Sequence, residues 1–362
     1  MNKLTICIVV PSLKMGGMER VAATLVNELV IKDNVEVHLI ILSRIPKQFD
    51  LHEKVILHEP SYSTSKLNFF NASLKTINYL RYKFKVIKPC SILSFGDRYN
   101  SIVILSSLFL NINVFVSNRQ NPHVSNGLLV DLLNKLLYSY SKGIVAQTKY
   151  AMSVFANKYS VNNISVIPNP IKQIETLNKI RDFTVLNVGR FDNDKNQFDL
   201  INFFDAVDNP FWNLLFIGEG PKISITESYL NRAKLKDRIK IIGFTKEIEK
   251  YYLNSSIFAF TSISEGFPNA LAEAMAAGCA CIAYDCVAGP SDIIDDGVNG
   301  FLIPVGDEKQ YIRKLKLLME DEALRIRFSK AAQEKMKQFE ASVIVERFYE
   351  FITSGIENHH YH

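Results

Sequence analysis

Short apolar runs, each followed by a stretch of helical periodicity, recur along nearly the whole chain, and this alternation constrains the fold most. The first half holds KLTICIVV (3–10), VEVHLIIL (35–42), CSILSF (90–95), NVFVSN (113–118) and GIVAQT (143–148). Helical patterns such as GGMERVAATLVNELV lie between them. This is the rhythm of a parallel sheet covered by helices on both faces. The segment VIPNPIK (166–172), with two prolines, interrupts it and reads as a linker. The alternation then restarts with FTVLNVG (183–189), NLLFIG (213–218), IKIIG (239–243), SIFAFTS (256–262), CACIAYD (279–285) and GFLIPVG (300–306). The expected fold is α/β, with two Rossmann-like domains, 1–165 and 166–339, facing a central crevice. Ligands in such sheets bind at the carboxyl ends of the strands. The last helical stretch, about 323–356, is long enough to leave the second domain. Its final part, about 340–358, is expected to pack back on the first.

A chain of 362 residues is too long for one ordinary core, which agrees with two domains. No run reaches the ~18 apolar residues of a membrane span. The nearest, IVILSSLFLNINVFV (102–116), carries two asparagines and reads as a buried helix running into a strand. LTICIVVPSL near the start has no small-residue cleavage site after it, so it is expected to be a first strand in a cytoplasmic protein. The five cysteines, Cys7, Cys90, Cys279, Cys281 and Cys286, are odd in number and stand in apolar company. No metal-ligand spacing surrounds them, so buried free thiols are expected and no metal. The terminal HHYH carries no functional weight.

Charge is uneven. Residues 1–165 hold 19 Lys and Arg against 9 Asp and Glu, and the remainder holds 23 against 28. A basic front half suggests an anionic partner: a phosphate-bearing substrate, a membrane surface or nucleic acid. The acidic second half and its motifs speak against nucleic acid. Segment 74–88, LKTINYLRYKFKVIK, interleaves Lys75, Arg81, Lys83, Lys85 and Lys88 with Tyr79, Tyr82 and Phe84. Such a helix can lie on an anionic membrane. An ordinary surface helix with snorkelling lysines has the same pattern.

The richest stretch is EGFPNALAE (265–273), which follows the strand SIFAFTS. Gly266 allows a tight turn, Pro268 suits a helix start, and Asn269 can cap it. A helix is expected over about 270–277, ending at Gly278. Its first-turn N–H groups make an anion site suited to phosphate. Glu265 and Glu273 then flank a ligand whose phosphate rests there, and carboxylates accept well from sugar hydroxyls. For Glu273 alone, the helix dipole is explanation enough.

In VGRFDNDKNQ (188–197), Arg190 and Lys195 stand on the loop after the first strand of the second domain, where two cations can clamp a diphosphate. Solvated loop charges balanced by Asp192 and Asp194 are the rival explanation. In PSLKMGGMER (11–20), Gly16 and Gly17 can let backbone N–H groups approach a phosphate, although the dinucleotide fingerprint is absent.

Taken together, GGMERV, IPNP, VGRFDNDKN, IGEGP, the GF at 243–244, EGFPNALAEAMAAG and GVNGFLIPVGD follow one another in an order that resembles family 4 glycosyltransferases of the GT-B fold. The Glu-x7-Glu nonapeptide is the most specific match and the N-terminal domain the weakest. The resemblance implies retaining, metal-independent transfer from a nucleotide-sugar. It assigns Glu273 to the donor ribose, Glu265 to the donor sugar, and the backbone of Phe267, Pro268, Asn269 and Ala270 to the sugar and diphosphate. Arg190 and Lys195 would neutralise the leaving diphosphate. Gly16 and Gly17 would approach the donor phosphates from the other domain. Asn169 of IPNP would join the donor site, and the backbone near Phe244 would take the base. DCVAGPSDII (285–294) resembles members that use UDP-GalNAc, UDP-GlcNAc or UDP-Gal.

No residue stands out as a general base, which fits a same-face displacement with a donor phosphate oxygen taking the acceptor proton. Arg98 and the pair Arg119 and His123 end strands of the basic domain and are candidates for acceptor contact. A structural loop role is the alternative for each. The expected activity is transfer of a hexose or N-acetylhexosamine to a glycan acceptor on a lipid carrier, at the cytoplasmic face of an anionic membrane, in polysaccharide assembly. A UDP-sugar epimerase of similar layout, or a non-catalytic nucleotide-sugar-binding subunit, are the alternatives.

Overall fold

The computed structural model describes residues 3–14, 16–62, 68–175 and 180–355. The chain forms two compact units, Met1–Pro170 with Ala341–His362, and Ile171–Glu340. The division falls inside the proline-bearing linker, at Pro170/Ile171 rather than at 165/166.

The first unit runs β1 (Leu4–Val10), α1 (Gly17–Leu29), β2 (Val35–Ile41), β3 (Ile56–His58), α2 (Phe69–Ile87), β4 (Ser91–Phe95), α3 (Asp97–Ser107), β5 (Asn113–Ser117), α4 (Leu128–Leu137), β6 (Gly143–Ala146), α5 (Lys149–Lys158) and β7 (Ile164–Val166). Its strands pair in parallel in the order β3-β2-β1-β4-β5-β6-β7. The side-chain period of a strand divides β1 between two cores. Ile6, Ile8 and Val10 join α1, while Cys7 and Val9 join α2, α3 and α5.

The second unit runs β8 (Asp182–Val188), α6 (Gln197–Val207), β9 (Asn213–Ile217), α7 (Ile223–Leu230), β10 (Ile239–Ile242), α8 (Ile248–Asn254), β11 (Ser255–Phe260), α9 (Asn269–Ala276), β12 (Ala280–Asp285), α10 (Pro290–Ile293), β13 (Phe301–Pro304), α11 (Glu308–Glu320) and α12 (Glu322–Met336). Its strands are again all parallel, in the order β10-β9-β8-β11-β12-β13. Phe203, Tyr284 and Tyr311 fill its core, with ring centroids 5.0–6.2 Å apart.

The long C-terminal helical stretch is two helices. α12 ends at Met336, a single turn covers Lys337–Phe339, and α13 (Ala341–Thr353) begins after Glu340, whose extended backbone breaks the helix. α12 belongs to the second unit and α13 to the first, where Ile344, Val345, Phe348 and Ile352 enter the α1 core. Both passages of the chain between the units lie side by side. Ile171 N–H donates to Phe339 O at 2.7 Å, and Ile171 and Glu340 form a parallel bridge. The end of the helix expected over about 340–358 falls outside the described residues, as does the HHYH tail.

Segment 74–88 lies within α2 but does not present all its cations outward. The Arg81 guanidinium donates to the carbonyls of Ser106 and Leu108, and Lys83 Nζ sits 3.2 Å from His58 Nδ1. Phe84 is buried and Tyr79 half-buried, leaving Lys75, Tyr82, Lys85 and Lys88 exposed.

Candidate functional site

In each sheet the chain reverses direction of travel beside its first strand. The switch points are therefore β1/β4 in the first unit and β8/β11 in the second. Loops leaving adjacent strands at such a point open a crevice at the carboxyl edge.

In the second unit those loops are 189–196 and 261–268, and they are fastened together. Ile263 N–H donates to Asp194 O at 2.8 Å, and Thr261 Oγ1 donates to Lys195 O at 3.1 Å. The Lys195 ammonium then donates to the Glu265 carboxylate. Lys195 also lies 5.9 Å from the Phe260 ring centroid. The pair is largely shielded, with 23% of the Lys195 side chain and 10% of Glu265 exposed. Gly189 leaves room for the Lys195 stem, which would touch a β-carbon there at 3.5 Å.

The neighbouring loops fit by backbone contact. Gly218 has φ +144°, and a β-carbon there would stand 2.0 Å from Gly189 O. Gly289 has φ +130°, and its β-carbon would stand 2.3 Å from Pro268 Cδ. Ser264 and Val287 form a parallel bridge across the same seam. Cys286 is buried beside the ion pair. Burial first, then the Glu265 charge, pushes its thiol up to about 12, leaving it an inert packing group.

Helix α9 starts one residue earlier than expected. Pro268 holds the cap position and offers no side-chain bond, and Asn269 is the first helical residue, so Asn269 does not cap. The helix thus presents first-turn N–H groups without a side-chain cap, the arrangement that receives anions. Glu273, in the second turn, accepts from Tyr252 Oη at 3.1 Å. Tyr252 is a residue that the motif gives no hint of. The Phe267 side chain is buried against Phe339, so only its backbone can meet a ligand. Ala270 follows in the first turn. Arg190 is exposed, its Nε 3.7 Å from Asp192 Oδ2. Phe244 is exposed just beyond β10.

In the first unit, Gly17 opens α1 and Gly16 precedes it with extended backbone. Glu19 folds back over Gly16, its Oε2 only 2.3 Å from where a β-carbon would sit. The glycine at 16 thus makes space for a carboxylate of its own helix, and that carboxylate already occupies the helix N-terminus. Gly96, with φ +101°, turns the chain from β4 into α3. Asp97 follows it and is buried, its Oδ1 without a partner. Burial pushes its carboxyl up to about 7. Arg98, next along, is exposed.

Arg119 and Asn169 are joined to each other inside the first unit. The Arg119 guanidinium lies over the rings of Phe95 and Phe348, 5.3 and 5.1 Å from their centroids, and donates to Asn169 Oδ1 at 2.9 Å. Burial lowers its pKa to about 9. Gln147 also donates to Asn169 Oδ1, at 3.0 Å, so that oxygen is occupied. His123 is exposed, its Nε2 2.7 Å from Tyr150 Oη. The structure thus joins Lys195 with Glu265 and lines Phe267 to Glu273 along one turn-and-helix.

Residues 171–335 match the model of the family described as glycosyl transferases group 1. The chain is similar over most of its length to two curated proteins. One is the amylovoran biosynthesis glycosyltransferase AmsD of Erwinia amylovora, 26% identical over 93% of this chain and 96% of that protein. The other, from Campylobacter jejuni, is N-acetylgalactosamine-N,N'-diacetylbacillosaminyl-diphospho-undecaprenol 4-alpha-N-acetylgalactosaminyltransferase, 28% identical over 94% and 96%. Among solved structures, HepE of Anabaena in complex with UDP superposes with a TM-score of 0.78 at 17% identity, covering 97% of this chain and 100% of that one. With two parallel α/β units and the glycosyl transferases group 1 pattern across the second, the chain has the GT-B fold and is similar over most of its length to curated glycosyltransferases.

Proposed function

We propose that the protein transfers a hexose or N-acetylhexosamine, with retention, from a UDP-sugar to a glycan acceptor carried on a lipid. The Lys195–Glu265 pair at the β8/β11 switch point, next to the uncapped start of α9, carries this reading. An ammonium has three donors, so Lys195 can hold Glu265 and still donate to a diphosphate. Glu265 accepts from a sugar hydroxyl, and Glu273, steadied by Tyr252, accepts from the ribose. The first-turn N–H groups of α9 from Asn269 and Ala270 meet the diphosphate. Arg190 leaves Asp192 to join it. The backbone near Phe244 borders the base.

In the reaction the anomeric C–O bond breaks and its electron pair goes to the diphosphate. The acceptor oxygen bonds to the same face of the sugar, and its proton passes to a diphosphate oxygen. Positive groups at the developing charge lower the barrier, each by a few kcal/mol. The relatives' names, which include a diphospho-undecaprenol substrate, and the UDP held by HepE support the donor and acceptor classes. Among the described residues no helix is long and apolar enough to cross a membrane. We place the protein on an anionic membrane surface, through the exposed Lys75, Tyr82, Lys85 and Lys88 of α2.

Thermal unfolding with UDP, GDP, ADP and their sugars tests the donor. A ligand at ~100 times its dissociation constant adds about 2.7 kcal/mol. A stabilisation confined to UDP compounds and weakened in Lys195→Ala is expected. No stabilisation by any nucleotide overturns the reading.

A further inference from the structure

Helix α4 packs on α3 by one side and leaves a row of leucines uncovered on another. Only Val130 and Asn134 are buried, Asn134 fixing the helix by donating to Asp97 O at 2.9 Å and accepting from Ser101 Oγ. Leu128, Leu129, Leu132 and Leu136 stand out in solvent, Leu128 at 92% exposure. Across from them α2 exposes Phe70 and Leu74. Between the two helices a groove of about 340 Å³ runs along α3, with Ile102 and Leu105 in its lining and Leu129 and Leu133 on the α4 side. Contiguous exposed apolar surface of this kind marks a binding site.

The charges say what kind of molecule fits. Arg98 is the one charged side chain among the groove's lining residues, at the N-terminal end of α3, and no described carboxylate pairs with it. The acidic residue of α4, Asp131, is tied up by Ser125 Oγ and the Asn126 N–H. Lys75 and Lys135 are exposed on the flanking helices. An apolar trough with a cation at one end complements a hydrocarbon chain that ends in phosphate.

We infer that the α2–α3–α4 groove binds a single-chain lipid phosphate, the lipid part of the acceptor, with the chain along Leu74, Ile102, Leu129 and Leu133 and the phosphate at Arg98. This rests on the proposal that the acceptor is lipid-linked. It differs from surface adsorption in that one chain leaves the bilayer for a built site. Arg98 thereby acquires a stated partner, the phosphate next to the lipid rather than the glycan.

The test is calorimetric titration of the full chain with dodecyl phosphate below its micelle concentration, with dodecyl maltoside and inorganic phosphate alongside. One dodecyl phosphate per chain is expected, with no competition from inorganic phosphate. Leu74→Asp and Leu129→Asp, both at exposed positions, should each weaken it at least about tenfold. Arg98→Gln should weaken dodecyl phosphate and leave dodecyl maltoside unchanged. Unfolding temperature and UDP stabilisation, which the leucine changes should not alter, report that the variants are folded. Binding untouched by both leucine changes overturns the inference. So does displacement by inorganic phosphate, attachment only to anionic vesicles regardless of the groove, or a dimer that the leucine changes dissolve. If lipid-linked acceptors are not substrates while the groove pattern holds, the acceptor proposal falls and the groove stands. If transfer proceeds and both leucine variants keep the wild-type KM for a lipid-linked acceptor, the reverse is true.

Discussion

Lys195 and Glu265 are 70 positions apart, and each is placed by a different loop. Removing one leaves the other charged and short of solvent. Lys195→Met should therefore lower stability, and adding Glu265→Gln should return part of the loss. Losing one partner of a fully buried pair costs ~3–5 kcal/mol, and the exposure of Lys195 reduces this to about 1–3 kcal/mol. Urea unfolding of the two single variants and the double variant measures it. If the double variant is no more stable than the Lys195→Met single, the pair is not coupled.

Asp97 gives a pH effect of fixed sign. Its carboxyl stays protonated up to about 7 in the folded chain, whereas the unfolded chain releases that proton near 3.8. The contribution is fully present below the lower value and is lost as pH rises through the upper one. Asp97→Asn should remove that slope, leaving a gain over wild type of up to about 4 kcal/mol above neutrality. Equal gains at about pH 4 and about pH 8 would contradict this. The sequence does not mark Asp97, because burial of a carboxylate by tertiary packing has no local signature.

At the scale of elements, the strands that lie inside each sheet were legible, since a β-branched run covered on both faces looks like nothing else. The short edge strands β3 and β7 were not, being three residues each with partial burial. The site loops were legible as motifs, but the roles within them shifted. Asn269 looks like a cap and is the first helical residue. Gly16 looks like a phosphate approach and is the space that Glu19 needs. Arg119 looks like a loop cation at a strand end, and only the tertiary arrangement shows α13 and Asn169 closing over it. The outward leucines of α4 were not singled out, because periodicity cannot tell an apolar helix face that is covered from one that is not.

Gly289 ties two of these elements together. An alanine there meets the Pro268 ring and adopts a backbone state that L-residues avoid. The start of α9 must move in response. Gly289→Ala should destabilise by roughly 1–3 kcal/mol and weaken UDP binding more than a remote change of equal cost. A titration with UDP, set beside a remote destabilised control, separates the two effects. Wild-type affinity would show that α9 does not depend on this seam.

For the whole molecule, α13 matters beyond its length. It follows the second unit in the chain and completes the core of the first through Ile344, Val345, Phe348 and Ile352. A chain ending at Glu340 should therefore lose the first unit's cooperative unfolding while the second unit still melts as a unit. Removing four such side chains costs several kcal/mol, a large share of a domain's stability. Hydrogen exchange resolved by peptide would show protection lost from β1 to β7 and kept from β8 to β13. Uniform loss across both sheets would show that the units are one cooperative body.

The side-by-side passage at Ile171 and Glu340 has a consequence for modular change. A unit whose two ends are neighbours in space can be exchanged for a related one through two adjacent splice points, with neither sheet needing a new strand order. Donor preference, if it resides in the second unit, could then change by transplanting one cassette, while the first unit kept its sequence and its terminal helix.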